Sequence, residues 1–189
     1  MNDISKIIND IKEFLVNTFN SADLWFDKDN KLKQYQPQNG GWSITQILEH
    51  IGLTNFFLLK LIEKGTKKAL QKLPNANLQV ELNEYQFHKD KLTEIGLHKS
   101  FLWIRPEHME PQNKLTEIEV RQQLKDQVDK CLEVLKLLKN GEGVLCKTTM
   151  TVNELGKIDV YEYIYFLAQH CQRHITQMEK NEKEFFENI

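Results

Sequence analysis

Three histidines have the residue type and spacing of a metal site. His170 and His174 stand four residues apart in the segment AQHCQRHITQ, so a helix places them on one face, one turn apart. Two imidazoles at this spacing can bind one metal ion. His50 follows Ile47 in the apolar stripe of a second segment, WSITQILEHI. The three histidines are therefore candidate ligands of one divalent metal ion.

The predicted burial of these histidines supports this interpretation. His170 and His174 occupy inward-facing positions of a predicted helix, where the pattern otherwise has apolar residues. A buried imidazole needs a partner for its ring nitrogens, and one ion shared by three rings provides it. The alternative is a set of core histidines that are only hydrogen-bonded, because a spacing of four among six histidines also arises by chance.

The neighbours of the histidine pair argue against one class of metalloenzyme. In the zincin pattern HExxH a glutamate follows the first histidine, whereas Cys171 stands at that place here, so no general base accompanies the pair. Glu49 is the acid nearest to His50 in sequence, but it lies about 100° around the helix. We expect Glu49 to be a solvated surface residue and Cys171 to be a buried, inert thiol.

Four long amphipathic helices are predicted to position these residues. The first runs from about residue 3 to 26, the third ends at Asn140-Gly141, and the last ends at about Glu187. The later three begin at capping boxes, formed by Ser43 with Gln46, Thr116 with Glu119, and Asp159 with Glu162. This pattern predicts an all-α fold, a four-helix bundle.

The connections between the predicted helices are uneven in length. The segment 65–115 between the second and third helices is far longer than the few residues that a simple up-down bundle needs. We expect a crossover that packs on the bundle, with a helical piece around GTKKALQKL. The β-branched residues of 144–152 predict a short extended piece before the last helix.

Other residues that could do chemistry are interpreted as structural. The crossover histidines recur ten residues apart, a spacing without helical or metal-site logic, so they are treated as incidental, with room for one near the mouth of the metal site. Three aromatic residues could line a pocket, but core roles are favoured. The histidines are His88, His98 and His108, and the aromatic residues are Trp103, Tyr163 and Tyr165.

Composition and charge exclude several classes of protein. The 189 residues, with 8 glycines, 4 prolines and 28% charged residues, suit one helical domain, 1–189, rather than a collagenous or low-complexity chain. A net charge of −2 argues against a nucleic-acid binder, and no apolar run is long enough to span a membrane. Three cysteines without CxxC spacing or a secretory leader predict no disulfide framework and a cytoplasmic protein.

An ordered set of short motifs carries a family resemblance. Trp42-Ser43 precedes His50, the pair His170 and His174 is followed by the polar Gln177, and short motifs precede the third and fourth helices. Those motifs are Arg105-Pro106 to Pro111, and Leu155-Gly156. With these features the chain resembles, over nearly its whole length, the DinB/YfiT-like superfamily of metal-binding four-helix bundles.

The resemblance implies a fold and a chemistry. It implies a crossover bundle in which His50, His170 and His174 bind nickel or zinc, with coordination positions left open to water. Such an ion can produce hydroxide for hydrolysis or activate a thiolate for transfer. The implied function is a metal-dependent hydrolase or a thiol-dependent S-transferase acting on a small-molecule substrate, the latter with a low-molecular-weight thiol as cosubstrate.

The absence of a glutamate beside the histidine pair favours thiol chemistry over hydrolysis. The resemblance also implies a homodimer.

Two alternatives to an enzyme remain. One alternative is a non-catalytic metal- or ligand-binding bundle of the same family. The other is a DNA-damage-related binding protein, which the family name suggests and the acidic charge balance opposes.

Overall fold

The computed structural model describes residues 3–98, 100–101 and 107–188, and within them every side chain except that of His108. These residues are predominantly helical, so the all-α prediction is confirmed. The α-helices are α1 (Ile4–Asp23), α2 (Asn30–Gln34), α3 (Ile44–Lys72), α4 (Leu78–Glu84), α5 (Lys89–Gly96), α6 (Glu117–Leu137) and α7 (Val160–Glu187). A short antiparallel hairpin joins β1 (Thr148–Met150) to β2 (Gly156–Ile158).

The four long helices pack in a ring, and their directions follow from contacts at their ends. Helices α1 and α3 each pack against both α6 and α7. Asp23 at the end of α1 pairs with Arg121 at the start of α6 at 2.7 Å, so these two helices are antiparallel. The start of α3 likewise meets the end of α7, where Asn181 Nδ2 donates to the Trp42 carbonyl at 2.8 Å.

Helices α3 and α6 are parallel neighbours, and this explains the long connection between them. Gln127 Nε2 in α6 donates to the Gly52 carbonyl in α3 at 2.8 Å, and Thr45 lies 3.5 Å from Glu117 near the start of both helices. A 29-residue helix spans about 44 Å. The segment after α3 must therefore run back along the bundle before α6 can begin, which a tight turn cannot do.

Two predicted boundaries differ from the structure. The piece GTKKALQKL, expected in the crossover, belongs to α3 up to Lys72, because the buried face of this helix continues through Gly65 and Ala69. A Cβ at Gly65 would lie 3.0 Å from Val160, so only a small residue fits there. The first helix ends at Asp23 rather than near residue 26, and a 3₁₀ turn, Leu24–Asp27, follows it.

Helix α7 is the central helix of the molecule. Every residue from 160 to 171 is buried, because α1, α3 and α5 all pack against this part of α7. The contact with α5 is close, since a Cβ at Gly96 would lie 2.1 Å from Gln169 Oε1. The first half of α7 therefore holds polar side chains, including His170, away from solvent. No helix in the described part of the chain combines the length and apolarity needed to cross a membrane.

The start of α6 offers a direct test of its capping box. Thr116 Oγ1 accepts from the Glu119 amide at 3.3 Å, and Glu119 Oε2 accepts from the Thr116 amide at 2.7 Å. Thr116→Ala leaves the helix amide without this acceptor and is expected to lower the free energy of unfolding by about 1 kcal/mol. Urea denaturation measures the change. Thr116→Ser keeps the acceptor and should stay near the wild type; equal losses in both variants would contradict the capping role.

Candidate metal centre

The structure brings the three predicted histidines together inside the bundle. His50 comes from the second turn of α3, and His170 and His174 come from the middle of α7. One nitrogen from each ring lies within 4.8 Å of the others, and all three residues are buried. The Nε2 atoms of His170 and His174 are 3.1 Å apart. The grouping is therefore as expected, while metal ligation itself stays a prediction.

Hydrogen bonds orient two of the three imidazoles. The Nδ1–H of His50 donates to the Met109 carbonyl at 2.7 Å, and the Nδ1–H of His174 donates to Gln177 Oε1 at 3.0 Å. Both partners are oxygen acceptors, so the proton of each neutral ring lies on Nδ1 and the Nε2 lone pair is the one that can bind a metal. Such bonds to the second ring nitrogen are a regular feature of metal-binding histidines.

Burial holds His170 and His174 in the neutral form that binds metals. It lowers the pKa of His170 well below its ordinary value, and the nearby His174, His50 and Arg173 act in the same direction. Burial likewise lowers the pKa of His174, although its bond to Gln177 opposes this shift. A neutral imidazole has a lone pair to donate, whereas an imidazolium has none.

The nitrogen spacing fits a divalent ion. Two nitrogens bound to one tetrahedral ion at about 2.0–2.1 Å lie about 3.3 Å from each other. The 3.1 Å separation between His170 and His174 is close to this value, and the His50 ring centroid lies 4.8 Å from that of His174. The three rings thus suit one ion, with small adjustments of their side-chain angles.

A cleft connects the histidine cluster to the surface. The indole of Trp42 forms one wall and packs on His50 with ring centroids 4.7 Å apart. Arg173 also lines the cleft; it donates to the Leu97 carbonyl, and its guanidinium lies 5.6 Å from the ring centre of Phe101. The cleft has a volume of about 290 Å³ and is lined by Gly40, Gly41, Trp42, His50, His98, Arg173, His174 and Gln177.

The expectation that Glu49 is a solvated surface residue is wrong. Its side chain is buried, and its two carboxylate oxygens accept from the backbone amides of Gln112 and Asn113 at 3.1 and 2.9 Å. The chain segment that returns from the crossover covers this face of α3. The same segment carries Met109, whose carbonyl orients His50. The Glu49 carboxylate therefore holds this segment in place against α3.

The crossover histidines His88 and His98 lie in different parts of the structure. His98 lines the cleft together with His174, which is the position near the mouth of the metal site that the sequence leaves open for one of these histidines. His88 Nδ1 lies 2.7 Å from Glu162 Oε1, near the start of α7 and two turns from His170, so it is not a member of the histidine cluster. The side chain of His108, and the residues Trp103 and Arg105-Pro106, lie outside the described part of the chain.

The remaining candidates occupy the core, as expected. Cys171 is fully buried, and burial raises the pKa of its thiol, which fits an inert side chain. Burial also raises the pKa of the Cys131 thiol, to about 12. Tyr163 and Tyr165 are buried as well, and the hydroxyl of Tyr163 donates to the Thr149 carbonyl at 3.3 Å.

Sequence reasoning missed two contributors to the site. The Met109 contact uses a backbone carbonyl, so no residue type could indicate it. Arg173 carried a usable signal: it immediately precedes His174 and follows His170 by three residues. A helix places such a residue at the edge of the histidine face. Arg173 is partly buried, and this burial lowers the pKa of its guanidinium.

The bond from His174 to Gln177 predicts a measurable effect on metal affinity. Gln177→Leu removes the acceptor that fixes the ring, and affinity for Ni²⁺ or Zn²⁺ is expected to fall about 10–100-fold. Calorimetric titration of metal-free protein with Ni²⁺ or Zn²⁺ measures this affinity. Gln177→Glu preserves an oxygen acceptor and should bind at least as tightly as the wild type. An unchanged affinity in the leucine variant would show that Gln177 does not support the site.

Comparison with known proteins agrees with the fold and the histidine cluster. The family model of the DinB superfamily matches residues 29–178, which is more than half of the chain and includes His50, His170 and His174. Comparison with curated proteins and with solved structures gave no match. On the strength of the family match, the chain belongs to the DinB superfamily.

Proposed function

We propose that this protein is a metal-dependent enzyme that transfers a low-molecular-weight thiol to a small electrophile, with nickel or zinc held by His50, His170 and His174. The observation that carries the proposal is the meeting of three buried imidazoles, two of which, His50 and His174, line an open cleft. A site of three nitrogen ligands leaves coordination positions for a substrate, as in catalytic rather than structural metal sites.

The residues of the chain prepare the site before any substrate arrives. Burial keeps His170 and His174 neutral, and the bonds to Met109 and Gln177 orient the rings. When bound, the ion supplies Lewis-acid chemistry that favours an ionised nucleophile near neutral pH. The thiolate sulfur then forms a bond to the electrophilic carbon, the leaving group departs with its electron pair, and the thiol proton passes to solvent.

The surroundings of the cluster favour a thiol over water as the nucleophile. None of the cleft-lining residues that the structure describes is a carboxylate, and Glu49 already accepts two backbone amides. Water, with a pKa of about 15.7, needs more assistance to ionise than a thiol, with a pKa of about 8.5. Hydrolysis is the second candidate, because three histidines with open positions also suit activation of water.

A thiol-transfer assay tests the proposal. Protein purified without a histidine tag is loaded with Ni²⁺ or Zn²⁺ and mixed with mercaptoethanol and monobromobimane, whose bromide is the leaving group. We expect a rate above the uncatalysed reaction that requires thiol, metal and protein, and that His174→Ala abolishes. Turnover of p-nitrophenyl acetate without thiol would favour hydrolysis. Loaded protein with neither activity would favour a non-catalytic binding bundle.

A further inference from the structure

The cleft beside the histidine cluster carries a positive charge in a fixed position. Arg173 lies between His170 and His174 on α7 and lines the same cleft. Its guanidinium donates to the Leu97 carbonyl and lies over the ring of Phe101. These contacts hold it at the cleft wall. Its flexible side chain is thus positioned before a ligand binds, which reduces the entropy that binding must overcome.

The other described lining residues carry no negative charge that would oppose the guanidinium. They include His98, the amide of Gln177 and the indole of Trp42, and none of them is a carboxylate. A cleft lined by one sign of charge between apolar walls concentrates ions of the opposite sign. A divalent ion at the cluster would strengthen the same field. The cleft therefore attracts anions rather than cations.

The geometry selects the kind of anion. A guanidinium presents planar N–H donors that match two oxygens of a carboxylate or of a phosphate, and the carboxylate is the smaller of these two groups. The volume of about 290 Å³ lies at the small end of ligand pockets, so the ligand is a small molecule. Since Arg173, His50 and His174 line this one small cleft, a single small ligand can contact the guanidinium and the histidines together.

We propose that the thiol cosubstrate carries a carboxylate, which Arg173 binds while the sulfur lies at the histidine cluster. This inference rests on the proposed function, since it needs a ligand at the three histidines. It adds the chemical class of the ligand, which the histidine cluster alone does not specify.

Matched pairs of thiols test this inference by binding. Mercaptoacetate, mercaptopropionate and mercaptobutanoate are titrated calorimetrically into metal-loaded protein and compared with the alcohols of equal length, mercaptoethanol, mercaptopropanol and mercaptobutanol. At least one acid is expected to bind about tenfold more tightly than its alcohol. In Arg173→Gln, which keeps an N–H donor for Leu97, this preference should disappear, while neutral thiols bind as before.

Two further variants separate the carboxylate site from other effects. Lys180→Gln removes an equal charge from an exposed position two turns along α7 and should leave the preference intact. Arg173→Lys keeps the charge but not the planar donor pair, and its preference should lie between those of the wild type and Arg173→Gln. If Arg173→Gln does not fold, the lysine variant decides, and a preference equal to that of the wild type overturns the inference.

The remaining outcomes distinguish this inference from the proposed function. Equal binding of acids and alcohols would overturn the carboxylate site and leave the thiol chemistry standing. A preference for acids that survives in Arg173→Gln would mean that the carboxylate binds the metal ion instead of Arg173. This result would also overturn the inference. Loaded protein that binds no thiol would overturn both proposals together.

Discussion

Replacing His174 with alanine is expected to reduce metal affinity several hundredfold. Four-ligand zinc sites contribute about 10–16 kcal/mol of binding free energy, so one ligand accounts for about 3–4 kcal/mol. The His174 Nε2 atom lies 3.1 Å from that of His170, and its ring is the one that Gln177 orients. Without His174, the remaining candidate ligands are His50 on α3 and His170 on α7. Elemental analysis of protein purified without a histidine tag measures the metal retained per chain.

The control for this experiment is a histidine of the same cleft outside the cluster. His98 lines the cleft, and His98→Ala removes an imidazole without touching the three candidate ligands. This variant should retain metal at the level of the wild type. Similar and negligible metal in the wild type and in His174→Ala would end the metal hypothesis. Equal losses in the His98 and His174 variants would mean that the three histidines of the cluster do not by themselves define the metal site.

The sequence was most informative where structure depends on neighbours along the chain. The capping boxes at Ser43, Thr116 and Asp159 each appear in the structure, with reciprocal side-chain and backbone bonds. A cap involves residues only three positions apart, so its signal is local. The same applies to His170 and His174, whose shared face follows from helical periodicity alone.

Features that depend on distant parts of the chain were not predictable in this way. Glu49 is buried because residues 112–113 return to cover it, and periodicity within α3 carries no information about that segment. The length of α3 was underestimated because the helix continues through Gly65, where α7 needs a small neighbour. The parallel packing of α3 and α6, which requires the crossover, likewise arises from tertiary contacts.

The metal-free protein is expected to lose stability on acidification because of His170 and His174. Burial lowers the pKa of both well below 6.5. At pH values between 6.5 and the lower pKa that the two histidines have in the folded protein, the unfolded chain binds protons that the folded chain does not. Stability therefore rises with pH through this window and is lost as pH falls below about 6.5. Where both histidines are protonated in the unfolded chain and neutral in the folded protein, the free energy of unfolding changes by about 2.7 kcal/mol per pH unit.

A double variant, His170→Leu with His174→Leu, isolates this effect. Asp159 opposes it, because burial and the neighbouring Glu162 raise its pKa to about 7, so its protonation favours the folded state as pH falls. Both proteins contain Asp159, and the difference between their stabilities therefore reports the histidines. Urea denaturation from about pH 7.5 to 5.5, with chelator present, should show the variant gaining on the wild type as pH falls.

Adding metal at neutral pH should stabilise the wild type but not the double variant. An ion that binds only the folded state stabilises it, by about 4 kcal/mol at a thousandfold excess over the dissociation constant. The wild type should gain this stability from Ni²⁺ or Zn²⁺, and the double variant should gain none. The same pH dependence without metal, but no metal-induced gain in the wild type, would instead identify the buried histidines as ordinary hydrogen-bonded core residues. The experiment thus separates a metal centre from a merely polar core by stability alone, whatever the substrate.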